Sequence, residues 1–309
     1  MEQNKYRNEA YTSAHFSQYN STITNGEARI PICFCIDTSK SMNFVTNPEH
    51  ELDRTSSSSH SVDGVDNVVY VKPKPGYTLR HRIDEVRRVL ERMLDRMRLD
   101  SRIANAVTVC IVTFNRWADC AVDFSDVSAI SYRDIDDITV GEDMTNASKG
   151  IDMSLSRIDQ FRRMNSQAGN ESYRPVLVFM SDGSVKDDPN ANTARREVRQ
   201  RSEDDRLNVI PIGIGHSVDE GWLRQLSKDG HVFHMEHQAE FDRVFNIITQ
   251  RIERTAKALT LDEGLAEDSL DAPEPVTADE VSTAYGAGRD DESLQFFMDF
   301  YTKENPAQI

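Results

Sequence analysis

Two short apolar runs in this chain each end at an aspartate that has hydroxyl side chains beside it. The first run leads into Asp37-Thr-Ser39-Lys-Ser41, and the second leads into Ser181-Asp182-Gly. Carboxylate and hydroxyl oxygens are hard ligands, and they suit Mg²⁺, Mn²⁺ or Ca²⁺ better than Zn²⁺. The sequence therefore predicts a site for a divalent cation, with Mg²⁺ as the first candidate.

A third hydroxyl, Thr145, lies between the two runs, at the start of a predicted helix. In an open parallel sheet, ligands bind beyond the carboxyl ends of the strands, at the point where the strand order reverses. If the two strands are neighbours at that point, the carboxylates of Asp37 and Asp182 converge. Thr145 then reaches them from a third loop. Two carboxylates roughly neutralise a divalent ion, which can still accept an outside carboxylate.

Strands and helices alternate over about 230 residues, which predicts a doubly wound α/β fold with a mostly parallel sheet. The apolar runs predict strands at 30–36, 106–114, 117–124, 175–180, 209–215 and 232–233. Apolar residues at spacings of three and four predict helices at 80–98, 145–163, 190–203, 219–228 and 239–258. The second and third strands are so close in sequence that we expect them to pair antiparallel.

The segments outside this alternation divide the chain into an arm, an insertion and a tail. Residues 1–27 are polar and predict an N-terminal arm, so the domain itself spans 28–258. Residues 43–78 interrupt the pattern with a Ser-rich stretch, for which we expect a loop with one short strand near Val68–Val71. Residues 259–309 form an acidic tail, with 13 acidic and two basic residues in 260–309.

The acidic tail ends in a cluster of apolar residues, which is unusual for a disordered segment. Leu294, Phe297, Met298 and Tyr301 fall at i, i+3, i+4 and i+7, which predicts a helix over 293–303 with one apolar face. Docking of this helix into a groove of a partner, or of this chain's own body, is one interpretation. A final helix simply packed on the domain is the other.

The composition of the chain excludes several classes of binding partner. A net charge of −16 argues against nucleic acid, which needs Lys and Arg to displace phosphate counterions, and against an anionic membrane surface. The first residues lack an apolar stretch, so we expect no secretory signal and a cytoplasmic location. Four cysteines occur with no C-x-x-C spacing, and we expect core packing rather than a disulfide framework or a zinc site.

The pattern Asp37-x-Ser39-x-Ser41, a distant Thr145 and a later Asp182-Gly resembles the metal-ion-dependent adhesion site of von Willebrand factor type A (VWA) domains, over roughly residues 28–258. The resemblance implies a six-stranded, Rossmann-like sheet with one antiparallel edge strand. It implies that Ser39 and Ser41 bind the metal directly, and that the other three do so directly or through water. In that family a partner protein supplies an Asp or Glu, so we expect an interaction module rather than an enzyme.

A narrower resemblance is to bacterial cytoplasmic VWA proteins of the tellurite-resistance (TerY-like) group, carried by Arg29-Ile-Pro-Ile, Tyr173-Arg-Pro-Val-Leu-Val-Phe-Met-Ser-Asp-Gly and Ile212-Gly-Ile-Gly. It implies a stress or defence role, with a protein kinase and a PP2C-type phosphatase as partners. The alternatives are a subunit that works with an AAA+ ATPase, and a metal-dependent hydrolase. A haloacid-dehalogenase-type phosphatase would need a second Asp where Ser39 stands. Two simpler interpretations are strand-end residues that only cap helices, and a VWA fold with a silent site.

Overall fold

A six-stranded sheet forms the centre of the computed structural model, which describes residues 29–45, 53, 58–62, 65–69, 72–76, 81–141, 144–170, 172–182, 185, 188–215 and 218–235. Its strands are β1 (Ile30–Asp37), β4 (Val107–Phe114), β5 (Ala118–Asp126), β6 (Val176–Ser181), β7 (Asn208–Ile214) and β8 (Phe233–Met235). Their spatial order is β5-β4-β1-β6-β7-β8. Only the pairing of β4 with β5 is antiparallel, so β5 is the antiparallel edge strand that the sequence predicted.

The strand order reverses next to β1. The chain leaves β1 for β4 and β5 on one side, and then returns to place β6 on the other side. β1 pairs in parallel with both β4 and β6, with Cys33 opposite Cys110 on one side and Leu177 on the other. The carboxyl ends of β1 and β6 therefore lie side by side at the switch point, where open α/β sheets bind ligands.

Helices cover both faces of the sheet, which is why the central strands are apolar along their whole length. The described helices are α1 (Arg82–Arg98), α2 (Ser101–Ala106), α3 (Tyr132–Asp136), α4 (Ala147–Gln167), α5 (Ala191–Glu203) and α6 (Glu220–Leu223). Along β1, Ile32, Phe34 and Ile36 pack in the core layer of α1, while Cys33 and Cys35 pack in the layer of α4 and α5. The alternation follows from the period of two in a strand.

One glycine sets how closely α4 approaches the sheet. A Cβ atom at Gly150 would lie 2.6 Å from the ring of Phe114 and 3.0 Å from Sγ of Cys35. Both distances are shorter than ordinary carbon contacts, so a larger residue would push the helix away from β1 and β4. The start of α4 is thereby held close to the strand ends that carry the predicted metal ligands.

The insertion differs from its prediction. It contains a hairpin of two strands, β2 (Ser58–Val62) and β3 (Val65–Val69), where the sequence indicated one strand and a loop. Ser-rich stretches have low strand propensity, so β2 gave no local signal. The ends of the insertion are joined: Val45 forms a bridge with His81, and the Arg82 amide donates to the carbonyl of Phe44 at 2.9 Å.

Other predicted elements differ in extent or lie outside the described residues. The helix predicted at 219–228 is helical only over Glu220–Leu223, although Trp222, Leu223 and Leu226 are buried as expected. The short helices α2 and α3 were not predicted. The arm 1–27, the helix 239–258, the acidic tail 259–309 and the helix 293–303 are outside the described residues. Among the residues that are described, no helix is long and apolar enough to cross a membrane.

Candidate metal site at the ends of β1 and β6

A tight turn after β1 gathers three of the predicted ligands. Asp37 ends the strand with no exposed surface, and its Oδ1 accepts a hydrogen bond from the Ser39 amide at 2.8 Å. A turn of 3-10 helix over Lys40–Asn43 follows. It places the hydroxyl oxygens of Ser39 and Ser41 3.1 Å apart. The spacing Asp-x-Ser-x-Ser therefore aims one carboxylate and two hydroxyls into a small volume.

Asp182 reaches the same volume from the end of β6. Its carboxylate is buried, and Oδ1 accepts a hydrogen bond from the hydroxyl of Ser41 at 2.6 Å. Ser181, the last residue of β6, donates from its hydroxyl to Oδ2 of Asp37 at 2.7 Å. The two strand ends are thus joined by two hydrogen bonds that cross from one aspartate motif to the other.

Thr145 lies on the third loop at this edge, directly before α4. The next residue, Asn146, donates its amide to the carbonyl of Asn115 at 2.9 Å. The side chain of Asn115 in turn donates to the hydroxyl of Thr38 at 3.2 Å. Thr145 is thereby anchored beside the Asp37 turn. The structure brings Asp37, Ser39, Ser41 and Asp182 into direct contact, and it places Thr145 on a neighbouring loop that is tied to them through Asn115 and Thr38.

Asp37 is buried beside a second negative charge. Burial and the negative charge of Asp182 raise the pKa of Asp37 to about 7, although hydrogen bonds from Ser39 and Ser181 act in the opposite direction. A cation that neutralises both carboxylates removes this cost. Below about pH 7 such a cation has to displace a proton from Asp37, because metal ligands must be deprotonated.

A buried arginine that was not predicted from the sequence pairs with one of the two aspartates. Nη1 of Arg82, at the start of α1, donates to Oδ2 of Asp182 at 2.6 Å, and both side chains are buried. Gly215 after β7 makes room for the guanidinium: its φ is +79°, and a Cβ there would lie 2.6 Å from Nη2 of Arg82. Arg82 leaves Oδ1 of Asp182 facing the hydroxyl of Ser41.

A further buried carboxylate, Asp188, was not predicted from the sequence, and it fixes the start of α4 to the loop after β6. Asp188 accepts hydrogen bonds from the amide of Ser148 at 2.7 Å and from its hydroxyl at 2.9 Å. It also accepts from the amide of Asn190 at 3.0 Å, at the start of α5. This carboxylate satisfies amides at two helix N-termini, and it links the loop that carries Asp182 to the one that carries Thr145.

The donor set fits a hard divalent cation. The side chains that the two strand ends themselves contribute, Asp37, Ser39, Ser41, Ser181 and Asp182, all offer oxygen, and carboxylate and hydroxyl oxygens are ligands of Mg²⁺. Oxygens bound to Mg²⁺ at about 2.1 Å lie roughly 3 Å apart along an octahedral edge. The separation of the Ser39 and Ser41 hydroxyls, 3.1 Å, matches that spacing. Asp37, Ser39, Ser41 and Asp182 would hold the ion, with Thr145 as a further ligand.

Exposed aromatic residues stand on the turns that carry the site. Phe44 is 61% exposed, and its amide donates to the carbonyl of Ser41 at 2.9 Å. Trp117 is also 61% exposed, and its amide donates to the side-chain oxygen of Asn115 at 3.1 Å. Lys149 lies 4.0 Å from the centre of the Trp117 ring. We call Phe44, Trp117 and Lys149 the aromatic rim.

These observations define a doubly wound α/β domain with an oxygen-lined site at its switch point. The family model for the von Willebrand factor type A domain matches residues 76–247, more than half of the chain, and the chain belongs to this family. The match includes Thr145 and Asp182 but begins after Asp37, Ser39 and Ser41. The structure places those three in the same domain, because β1 lies between β4 and β6.

Comparison with solved structures returned distant matches. Proximal thread matrix protein 1 from the mussel byssus, solved with a zinc-occupied MIDAS motif, is 15% identical, with 73% of this chain and 48% of that one covered, at a TM-score of 0.45. The PilB minor pilin of Streptococcus sanguinis is 13% identical, with coverages of 79% and 65% and a TM-score of 0.49.

A von Willebrand factor type A protein from Catenulispora acidiphila is 12% identical, with coverages of 75% and 43% and a TM-score of 0.48. This chain spans about half the length of the mussel and Catenulispora proteins. A search of curated protein sequences found no match.

Proposed function

We propose that this chain binds a protein partner through a divalent cation, Mg²⁺ in the first instance, and that an Asp or Glu of the partner completes the coordination. The observation that carries this is the direct contact of Asp37, Ser39, Ser41 and Asp182 at the switch point. No chemical step is assigned to the site, because its carboxylates are proposed as metal ligands and Ser39 stands where a haloacid-dehalogenase-type phosphatase would need a second Asp.

The charge of the site supports an acidic partner. Asp37 and Asp182 supply two negative charges, and Arg82 returns one positive charge through its ion pair with Asp182. A bound divalent ion therefore leaves the buried cluster with one net positive charge, which a carboxylate from outside neutralises. Lys40 is exposed in the turn after β1, and Arg116 is exposed in the turn between β4 and β5, although the whole chain is acidic. Such local complementarity steers association and selects partners.

The aromatic rim supports a protein rather than a small acid as the ligand. Interfaces are enriched in aromatic side chains at their centres, and residues of this kind dominate binding energy. Phe44 directly follows the turn after β1, and Trp117 lies in the turn between β4 and β5; both are exposed, and their amides donate to Ser41 and Asn115 respectively. We propose that an apolar residue of the partner packs on this rim beside its metal-binding carboxylate.

The finer assignment rests on the sequence resemblance. We propose that the protein works in the bacterial cytoplasm in a stress or defence system of the tellurite-resistance type, as a scaffold or sensor for a protein kinase and a PP2C-type phosphatase. A subunit that serves an AAA+ ATPase is the alternative. The two proposals differ in the partner that co-purifies with the metal-loaded chain.

Affinity capture from the native host tests the proposed function. The full chain is immobilised, exposed to lysate in Mg²⁺, and washed in parallel with Mg²⁺ or with EDTA. We expect a specific partner to be retained in Mg²⁺, released by EDTA, and absent from an Asp37→Ala column. A partner that stays bound equally well in EDTA contradicts a metal-mediated contact. Turnover of generic phosphoesters that requires Asp37 would favour the hydrolase instead.

The insertion gives a second prediction. Because Val45 is bridged to His81, a short Gly-Ser linker in place of residues 46–76 can join the same two ends. The described strands β2 and β3 pair with each other and not with the main sheet. We expect the melting temperature to change little while partner binding weakens, because loops beside a rigid scaffold commonly carry recognition. Unchanged partner affinity in this variant would show that the insertion is only a spacer.

The C-terminal segment, which lies outside the described residues, gives a third. If Leu294, Phe297, Met298 and Tyr301 form a docking helix, deletion of 293–309 lowers partner binding and leaves thermal unfolding nearly unchanged. Replacing Phe297 and Met298 by Ser in the full chain is the matched test, because it removes the apolar face and keeps the length. A fall of many degrees in melting temperature would place the segment in the core.

A further inference from the structure

Three side chains that can bind a metal meet at the edge of the sheet, separate from the oxygen site. Cys110 of β4 and both Cys120 and Asp123 of β5 bring their sulfur and carboxylate atoms within 4.8 Å of one another. Cys110 is buried, whereas Cys120 and Asp123 are partly exposed. The cluster therefore opens toward solvent along the edge strand, where an ion can enter.

Two β-bulges in β5 bring these three side chains together. Val109 pairs with Ser125, Ile111 with Val122 and Val112 with Cys120, so β5 uses an extra residue in each interval. Cys120 consequently packs against the same core layer as Cys110, while Val122 lies in the opposite layer. Regular alternation would place both on one face. Bulges re-aim side chains in this way and are frequent beside functional sites.

The charges of the cluster balance both without a metal ion and with one bound. Burial raises the pKa of Cys110 well above its ordinary value, and hydrogen bonds with Cys120 and Cys33 add to this, so that thiol is neutral without a metal. Asp123 then pairs with Arg157 of α4 at 3.2 Å. With a divalent ion bound, two thiolates and one carboxylate supply three negative charges, which the ion and Arg157 cancel. Neither state leaves an uncompensated buried charge.

We infer that Cys110, Cys120 and Asp123 form a second metal site, selective for a borderline or soft cation such as Zn²⁺. Thiolates favour such ions, and coordination deprotonates a thiol outright. Three protein ligands leave one position of a tetrahedral zinc site. Cys33 lies opposite Cys110 in β1, and their thiols are hydrogen-bonded. No zinc site was predicted from the sequence, because these ligands have no C-x-x-C spacing and meet only through the two bulges.

Cobalt spectroscopy tests the inference on the full chain, reduced and stripped of metal. Co²⁺ stands in for Zn²⁺, and an Asp37→Ala background removes the oxygen site. We expect one equivalent of Co²⁺ to give a sulfur-to-cobalt charge-transfer band, which the oxygen site cannot produce, and Zn²⁺ to displace it. Cys120→Ser and Asp123→Asn should each weaken Co²⁺ affinity by more than about tenfold, since even outer-shell changes cost that much.

The matched control is Cys35→Ser, which changes a buried thiol in the same core layer that lies beside Ser154 rather than in the cluster. This variant should keep the charge-transfer band and the Co²⁺ affinity. Circular dichroism establishes that each variant is folded, and Asp123→Asn keeps both thiols if Cys120→Ser does not fold. The inference is overturned if the reduced chain gives no sulfur-to-cobalt band, or if Asp123→Asn binds Co²⁺ as tightly as its parent. Isolation of a Cys110–Cys120 disulfide, with no metal binding after reduction, would overturn it in favour of a redox pair.

Discussion

Replacing Asp37 by Ala is expected to lower Mg²⁺ affinity by at least about 100-fold, equivalent to about 2.7 kcal/mol. Without Asp37, the buried cluster retains only Asp182 and Arg82, whose charges cancel in their ion pair. A divalent ion would then enter a site with no net negative charge, and no electrostatic attraction would compensate for the hydration that the ion loses. Isothermal titration of parent and variant with Mg²⁺ measures the difference directly.

The variant should remain folded, because Asp37 stands at a strand end and its burial beside Asp182 is itself unfavourable for the ionised form. Thermal unfolding without metal should therefore change by a few degrees at most. Mg²⁺ should raise the melting temperature of the parent by preferential binding to the native state, and should not raise that of the variant. Asp159→Ala is the matched control: it removes the same charge from α4, where Asp159 pairs with Arg201. Equal Mg²⁺ affinity in parent and Asp37→Ala would contradict the site.

The convergence of Asp37, Ser39, Ser41 and Asp182 could be predicted because its signals are local. Asp37 and Asp182 each end an apolar run that is long enough for a buried strand, and the placement of such strands at a switch point is a property of the fold class. The two serines follow Asp37 in one turn, so their convergence needs no knowledge of distant contacts. The same runs predicted six strands, and the short connection between β4 and β5 predicted their antiparallel pairing, but the order of the strands in the sheet was not predicted.

The residues that were missed lack such signals. Arg82 lies 100 residues from Asp182 in sequence, at a helix start where an arginine is ordinarily solvated. Its burial depends on a backbone conformation of Gly215, which belongs to a third element. Cys120 was not predicted as a metal ligand for a related reason. The direction of its side chain depends on bulges in β5, and the hydrophobic pattern of an edge strand does not reveal such bulges. Long-range pairing and irregular backbone are what the sequence pattern did not contain.

Arg82 gives the prediction that most sharply separates metal binding from partner binding. In Arg82→Met the long apolar side chain keeps the volume of the stem but leaves Asp182 buried without its cation. We expect the metal-free protein to lose about 3–5 kcal/mol of its free energy of unfolding, the usual cost of breaking a buried ion pair from one side. Chemical denaturation in EDTA measures this loss. Arg87→Met is the matched control in α1, because Arg87 pairs near the surface with Asp84.

Mg²⁺ should then stabilise Arg82→Met more than it stabilises the parent, because the ion takes over the neutralisation of Asp182. The double variant Arg82→Met/Asp182→Asn removes both charges, and in EDTA it should recover most of the lost stability, which a double-mutant cycle quantifies. The metal-loaded Arg82→Met site has no net charge, whereas the parent site has one positive charge to offer a carboxylate. Partner affinity should therefore fall although the metal is still bound. If Arg82→Met keeps full partner affinity and stability, the guanidinium does not set the charge of the site, and the acidic partner has to be explained by the aromatic rim and the exposed cations alone.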